Sequence, residues 1–346
     1  MNLFKSMYIN AARLKLLWPS IGIALILLFN ALFTPGFFHI RLQDGHLFGS
    51  LIDILNRGTP ILIISLGMTL VIAKEGIDIS VGSVLAIAAS MAAFLLQKQF
   101  PFIVALIAGL GIGVLCGLWN GLLVAKLKIQ PMIATLILLT VGRGIAQLIS
   151  GGKIITISNP AYRFVGGGYW LGLPFAVILA AAVFILLYAI TRKTAFGLFL
   201  EAVGANRVSS EFAGIHSTRI MITVYVICGF CAALAGIIVS SNITGADSNN
   251  AGLWFELDAI LAVVIGGTSM RGGRFYLGGT VLGALFIQTL TTTIYTLGVP
   301  SESVMVVKAV VIIFISLIQS DVLRDIFSGM IRKKTGKKVL VNEAAA

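Results

Sequence analysis

The sequence predicts an all-α, polytopic membrane protein with about ten transmembrane or re-entrant helical segments. Composition is the first reason. Of 346 residues, 58% are hydrophobic and 11% charged, with a mean hydropathy of +1.03. Soluble domains sit near about 45–50% apolar and ~25% charged, so a water-soluble fold would lack the polar surface to hydrate itself. The second reason is run length. Several apolar stretches approach or exceed the ~20 residues that cross a bilayer core. They show none of the polar–apolar alternation of a barrel wall. Helices remain, because lipid requires each backbone amide to be satisfied within its own segment.

The ten segments run roughly 16–34, 58–73, 81–97, 101–125, 131–150, 171–190, 218–241, 257–268, 277–297 and 303–319. The first follows Lys5, Arg13 and Lys15, as a signal peptide would, but lacks a small-residue cleavage site and precedes nine more spans, so it reads as a retained helix. The eighth is too short to span alone and reads as part of a broken or re-entrant element. The chain is read as a single transmembrane domain, 1–346. With the N-terminus inside, eighteen Lys and Arg face the cytoplasm and five face outward, which places both termini in the cytoplasm. The same bias explains the net charge of +12 without nucleic acid.

Two loops stand out. Residues 34–57, outside, carry Arg41, Asp53 and Arg57 among apolar residues and suggest an interfacial helix. Residues 191–217 form a long cytoplasmic loop, too polar to span, with helix formers enough for a short helix. The tail, 321–346, is basic and reads as a solvated anchor beside anionic lipid heads. In the fourth span Gly109, Gly113, Gly117 and Gly121 repeat every four residues and share one face, the pattern of close helix packing.

No Gly-x-x-x-x-Gly-Lys-Ser/Thr loop is present to hold ATP, nor a His-Glu-x-x-His or paired-cysteine metal motif, nor a Gly-x-Ser-x-Gly elbow. No catalytic residues and no metal are therefore assigned, and Cys116, Cys228 and Cys231 read as packing residues. What remains are polar groups at membrane depth, costly there and hence candidates for function. Asp78 or Ser80 either caps the helix beginning at Val81 or lines a solute path. Asn120 sits near the inner end of the fourth span. Arg143 must find a carboxylate or carbonyl, so a structural pairing and a solute contact both stand. Gln288 lies mid-span, and Asp258 follows Glu256 at the outer entrance to the eighth segment.

Three strings carry a resemblance. Glu201-Ala202-Val203-Gly204-Ala205-Asn206 through Ala213-Gly214-Ile215 resembles the coupling loop of ABC importer permeases. Glu75-Gly76-Ile77-Asp78-Ile79-Ser80-Val81-Gly82 is similar to a signature of the ribose-type sugar permeases, with Glu75 where that family has glycine. Leu257 through Ser269, followed by Gly272-Gly273, resembles the family's C-terminal signature. With Trp119-Asn120-Gly121 and Pro131 through Leu136, the resemblance covers about residues 50–320. Leu42-Gln43-Asp44-Gly45, Ile52 through Arg57, and Gly245-Ala246-Asp247 with Asn249 through Gly252 look most like the galactofuranose-type members.

The resemblance implies a permease subunit in a bacterial inner membrane that moves a monosaccharide inward. It implies three partners: a second permease copy, identical or related; a two-domain ABC ATPase that binds the ATP and Mg; and a periplasmic sugar-binding protein. It places Glu201, Ala202, Gly204, Asn206, Ala213 and Gly214 in ATPase coupling. Arg41, Asp53 and Arg57 fall to binding-protein docking, and Asp78, Asn120, Arg143, Asp258 and Gln288 to the translocation path. A secondary sugar carrier without an ATPase is the alternative.

Overall fold

The computed structural model describes residues 2–43 and 46–319; the basic tail and Asp44–Gly45 of the Leu42–Gly45 string lie outside the described residues. Helix α1 (Asn2–Phe33) leads to a hairpin of β1 (Arg41–Gln43) and β2 (His46–Phe48), then to α2 (Ser50–Ala73), α3 (Val81–Gln97), α4 (Phe102–Ala125) and α5 (Pro131–Ser150). Next come β3 (Ile155–Thr156), α6 (Pro160–Gly167), β4 (Tyr169–Trp170) and β5 (Leu173–Pro174). Then follow α7 (Phe175–Lys193), α8 (Ala195–Ala205), α9 (Arg207–Phe212), α10 (Ser217–Asn242) and β6 (Gly245–Ala246). Helices α11 (Phe255–Ile265), α12 (Leu277–Thr296) and α13 (Ser301–Gln319) complete the described chain.

All ten apolar segments are helical. Among the described residues, seven helices have the length and composition to cross a membrane: α1 from Leu16, α2, α4, α5, α7, α10 and α12. The other three segments are α3 with 17 residues, α11 with 11 and α13 with 19. The loop 34–57 departs from the interfacial helix that its sequence suggested. Arg41 pairs with Phe48 and Leu42 with Leu47 across a hairpin. Residues 50–57 are simply the opening turns of α2, which starts eight residues before its apolar run, with Asp53 favourably placed in its first turn.

Two compact units divide the chain. In the first, Met1–Thr289, α3 is apolar on all sides and buried along most of its length, as a helix ringed by other helices must be. It packs against α4, α5 and α10. The glycines of α4 fix the closest approach. A Cβ on Gly113 would lie 2.4 Å from the Gly229 carbonyl oxygen, and one on Gly117 would lie 2.3 Å from that of Tyr225. Gly121 lies against Ile222, while Gly109 faces Ala88 of α3. On the opposite side of α10, Cys228 and Cys231 pack against Gly67 of α2. Helices α11 and α12 repeat the device, Gly279 against Gly266 and Gly283 against Ala262. The second unit begins at Leu290 and contains the end of α12 and helix α13.

Candidate functional site

Two short helices begin inside the bundle, and their N-termini meet. Helix α2 ends at Ala73, and residues 74–80 carry the chain back inward before α3 starts at Val81. From the other side, residues 247–254 enter the bundle before α11 starts at Phe255. Arg143, the thirteenth of twenty residues in α5, sets the depth of that entry. Its guanidinium donates to the carbonyls of Ser248 (3.1 Å) and Ala251 (2.7 Å). Gln147 holds Asn249 (2.9 Å), and Ser150 meets Ser248 (2.7 Å). A Cβ on Gly82 would lie 2.4 Å from the Gly252 carbonyl oxygen and 2.6 Å from Glu256 Oε2. The first turns of α3 and α11 therefore abut, each bringing the positive end of its dipole.

Around this meeting lies a buried polar group. Asp78 accepts from the Ser80 backbone N–H (3.0 Å) and hydroxyl (2.6 Å) through one carboxylate oxygen, bracing the turn before α3 without capping the helix itself. Asn120 donates to Ser80 Oγ at 2.9 Å. Thr135 accepts from Ile79 N–H (3.3 Å), tying α5 to the same turn. Lys74 curls over Gly76, where a Cβ would come within 2.7 Å of its Nζ. Its ammonium donates to the Tyr225 hydroxyl (3.2 Å) and sits 4.3 Å from that ring's centroid. Most of this group is spent on itself. In it, Asn120 Oδ1 and Glu256 Oε2 are buried without a hydrogen-bond partner.

Helices α8 and α9 form a second feature. Thr194 caps α8 by accepting from Phe196 N–H (3.2 Å), and Asn206 caps α9 by accepting from Ser209 N–H (2.9 Å). The loop thus holds two helices, because an asparagine cap breaks what the sequence read as one. Gly204 sits on the end of α2. A Cβ there would fall 1.9 Å from the Ala73 carbonyl oxygen and 2.7 Å from Gly273 N, and Gly273 N–H donates to that same carbonyl at 2.8 Å. A Cβ on Gly272 would lie 2.6 Å from the Gly204 oxygen. Three backbones therefore touch at one junction: the end of α8, the end of α2 and the turn before α12.

Glu201 pairs with Arg192 (3.2 Å), which also donates to the Phe275 carbonyl (2.9 Å). Glu211 bonds both Arg207 and the Ser217 hydroxyl. Ser217 first and Arg207 second hold its carboxyl below the ordinary glutamate range. Ala213 and Gly214, the latter at φ +85°, close α9.

Of the five residues assigned to a path, Asp78 and Asn120 come together through Ser80. Arg143 stands apart at the 247–252 segment, where carbonyls are its partners. Asp258 is half-buried in the first turn of α11, and Gln288 is buried against Gly58. Asp53 and Arg57 lie one turn apart and exposed on α2, with Arg41 exposed on β1.

The family model "Branched-chain amino acid transport system / permease component" matches residues 50–316. The chain belongs to this family. A galactofuranose transporter permease protein of Escherichia coli (strain K12) is 50% identical over 318 residues, covering 90% of this chain and 93% of that one. A fructose import permease protein of Bifidobacterium longum (strain NCC 2705) is 37% identical, covering 93% and 92%. A ribose import permease protein of Haemophilus influenzae (strain ATCC 51907 / DSM 11121 / KW20 / Rd) is 38% identical, covering 84% and 89%. No solved structure matches the chain. For a permease of this family, the residues that sequence reasoning passed over are Glu256, Lys74, Tyr225 and Thr135. Glu256 carried a signal, a carboxylate opening an apolar helix of 11 residues. Thr135 lies in the Pro131–Leu136 string that carried the resemblance, whereas Tyr225, in an ordinary apolar span, carried no signal.

Proposed function

We propose that this chain is the membrane-spanning permease subunit of an ATP-driven importer that carries a monosaccharide into the cytoplasm across a bacterial inner membrane. Both termini and helices α8 and α9 face the cytoplasm in this reading, and the β1–β2 hairpin faces outward. A two-domain ATPase binds the ATP and Mg, a second permease copy completes the path, and a periplasmic sugar-binding protein docks near Arg41, Asp53 and Arg57.

The observation that carries this reading is the surface of the α8–α9 segment. Phe212 is 89% exposed, Leu198 67% and Val208 62%. Large apolar side chains held out on this segment, which joins two candidate spans, mark a surface that a partner covers. The same segment meets the helix bundle backbone to backbone at Gly204, so a push on Phe212 reaches Ala73 without a flexible side chain between. From Ala73 the chain runs through Lys74 to Asp78 and the start of α3. Glu201 anchors the segment, Asn206 sets the angle between its two helices, and Ala202, Ala213 and Gly214 shape it. Asp78, Asn120 and Glu256 border the path, where the spare acceptors Asn120 Oδ1 and Glu256 Oε2 suit a hydroxyl-bearing solute. Arg143 positions the 247–252 segment against it, with Asp258 and Gln288 farther along.

Purification of the tagged chain from its native host in mild detergent tests this. Co-purification of a two-domain ATPase whose hydrolysis drives sugar uptake in liposomes is expected. Sugar exchange by the chain alone, with no ATPase attached, would establish a secondary carrier instead.

A further inference from the structure

Helix α3 ends, on the side where α4 begins, in a closed turn. Gln99 N–H donates to the Leu96 carbonyl and Phe100 N–H to the Leu95 carbonyl, both at 3.0 Å. This closure requires a left-handed residue just past the helix, and Gln99 supplies it at φ +63°. Glycine adopts that conformation freely, whereas a side chain there is strained. The turn itself therefore gives no reason for glutamine at this position.

The side chain of Gln99 lines a cleft. With Gln97 and Phe100 it forms one wall of this cleft of about 380 Å³, whose facing wall includes Thr156, Ser158 and Asn159. The facing wall is fixed in place. Thr156 pairs with Gly245 in the β3–β6 ladder, and Asn159 accepts from Tyr162 N–H (3.1 Å) at the start of α6. The lining thus holds three carboxamides, two of them exposed, two hydroxyls, an exposed aromatic ring, the apolar Leu96, Ile157 and Pro160, and no charged side chain. Carboxamides donate and accept at once, which suits a ring bearing several neutral hydroxyls, and the phenyl face suits its apolar side. Size points the same way. The volume lies in the range of small-solute sites, roughly 300–1,000 Å³, whereas a docking protein needs about 800 Å² of surface per partner.

We infer that this cleft binds a neutral monosaccharide at the outer face of the permease, before the solute enters the path. The inference rests on the importer reading for the outward orientation and the solute class.

The test is equilibrium binding of radiolabelled D-galactose, D-ribose and D-fructose to the full chain in lipid nanodiscs. Saturable binding of at least one sugar is expected, with Gln99→Gly and the double variant Gln97→Ala/Gln99→Ala each weakening it at least tenfold. Gln99→Gly is also expected to melt at or above the wild-type temperature, since glycine suits the turn. If the double variant fails to fold, Gln99→Gly decides alone. Unchanged binding in Gln99→Gly, or no saturable binding by the wild type, overturns the inference. ATP-driven uptake by the full assembly separates the two readings. Uptake without cleft binding removes the cleft and keeps the importer, whereas uptake independent of ATPase removes the importer.

Discussion

Replacing Gly204 by alanine tests the junction between α8 and the bundle with the smallest possible change. The added Cβ would lie 1.9 Å from the Ala73 carbonyl oxygen. Reaching an ordinary carbon–oxygen contact of about 3.3 Å requires a retreat of about 1.4 Å. Overpacking of this kind costs about 1–3 kcal/mol. The movement also strains the Gly273–Ala73 hydrogen bond of 2.8 Å, worth about 0.5–1.5 kcal/mol. A total of roughly 2–4 kcal/mol stays below the about 5–15 kcal/mol that holds a typical domain together, so the protein stays folded. Even about 2 kcal/mol depopulates the docked junction by a factor of roughly 30. In liposomes holding the permease with the ATPase and binding protein that the proposed function assigns to it, sugar moved per ATP hydrolysed should fall by about tenfold or more. ATP hydrolysis itself should persist. Wild-type uptake per ATP in a folded Gly204→Ala protein would refute the transmission of force through this junction.

Four further outcomes follow from the same geometry. Asp78→Ala leaves the Ser80 N–H and hydroxyl without their buried acceptor and should destabilise by about 1–3 kcal/mol, while Asp78→Asn should recover part of that, read as melting temperature in detergent. Gly117→Ala drives a Cβ to 2.3 Å from the Tyr225 oxygen and should cost about 1–3 kcal/mol, whereas Gly111→Ala, with nothing within 4 Å, should be neutral in the same melt. Arg143→Met strands the carbonyls of Ser248 and Ala251, so hydrogen exchange at 247–252 should quicken by about tenfold while α4 stays protected. For Glu211 the folded-state pKa is depressed, so its tie to Ser217 and Arg207 is present above the ordinary value near ~4.3 and is lost as pH falls through the folded one. Amide exchange at residues 211–217 should therefore rise below about pH 4, and Glu211→Gln should abolish that rise.

The helices were legible because each is an apolar run bounded by polar or glycine-rich turns. Asp78 and Asn120 stood out because polar groups are costly at membrane depth, and depth can be read from position along a run. Hydropathy set Glu256 at the entrance to the eighth segment but not its approach to Gly82, which depends on the guanidinium of Arg143 holding the 247–252 segment, and no local pattern encodes that anchor. The hairpin at 41–48 was missed because short strands held by backbone bonds leave little trace when charges punctuate them. The split at Asn206 was written in the chain as a cap residue, but its weight against the neighbouring helix formers depended on packing at Gly204. The glycine period of α4 announced a close neighbour without saying which helix it would be.

That glycine seam governs which parts of the molecule are able to slide. Gly113 against Gly229, and Gly117 against the backbone of Tyr225, set main chain into main chain like the teeth of a rack. A shift of one residue along the axis, about 1.5 Å, would bring β-carbons into notches shaped for hydrogen. Helices α4 and α10 are therefore locked in register as one keel, and in the importer reading any displacement passes to elements without such a seam against it, helices α8 and α9 among them.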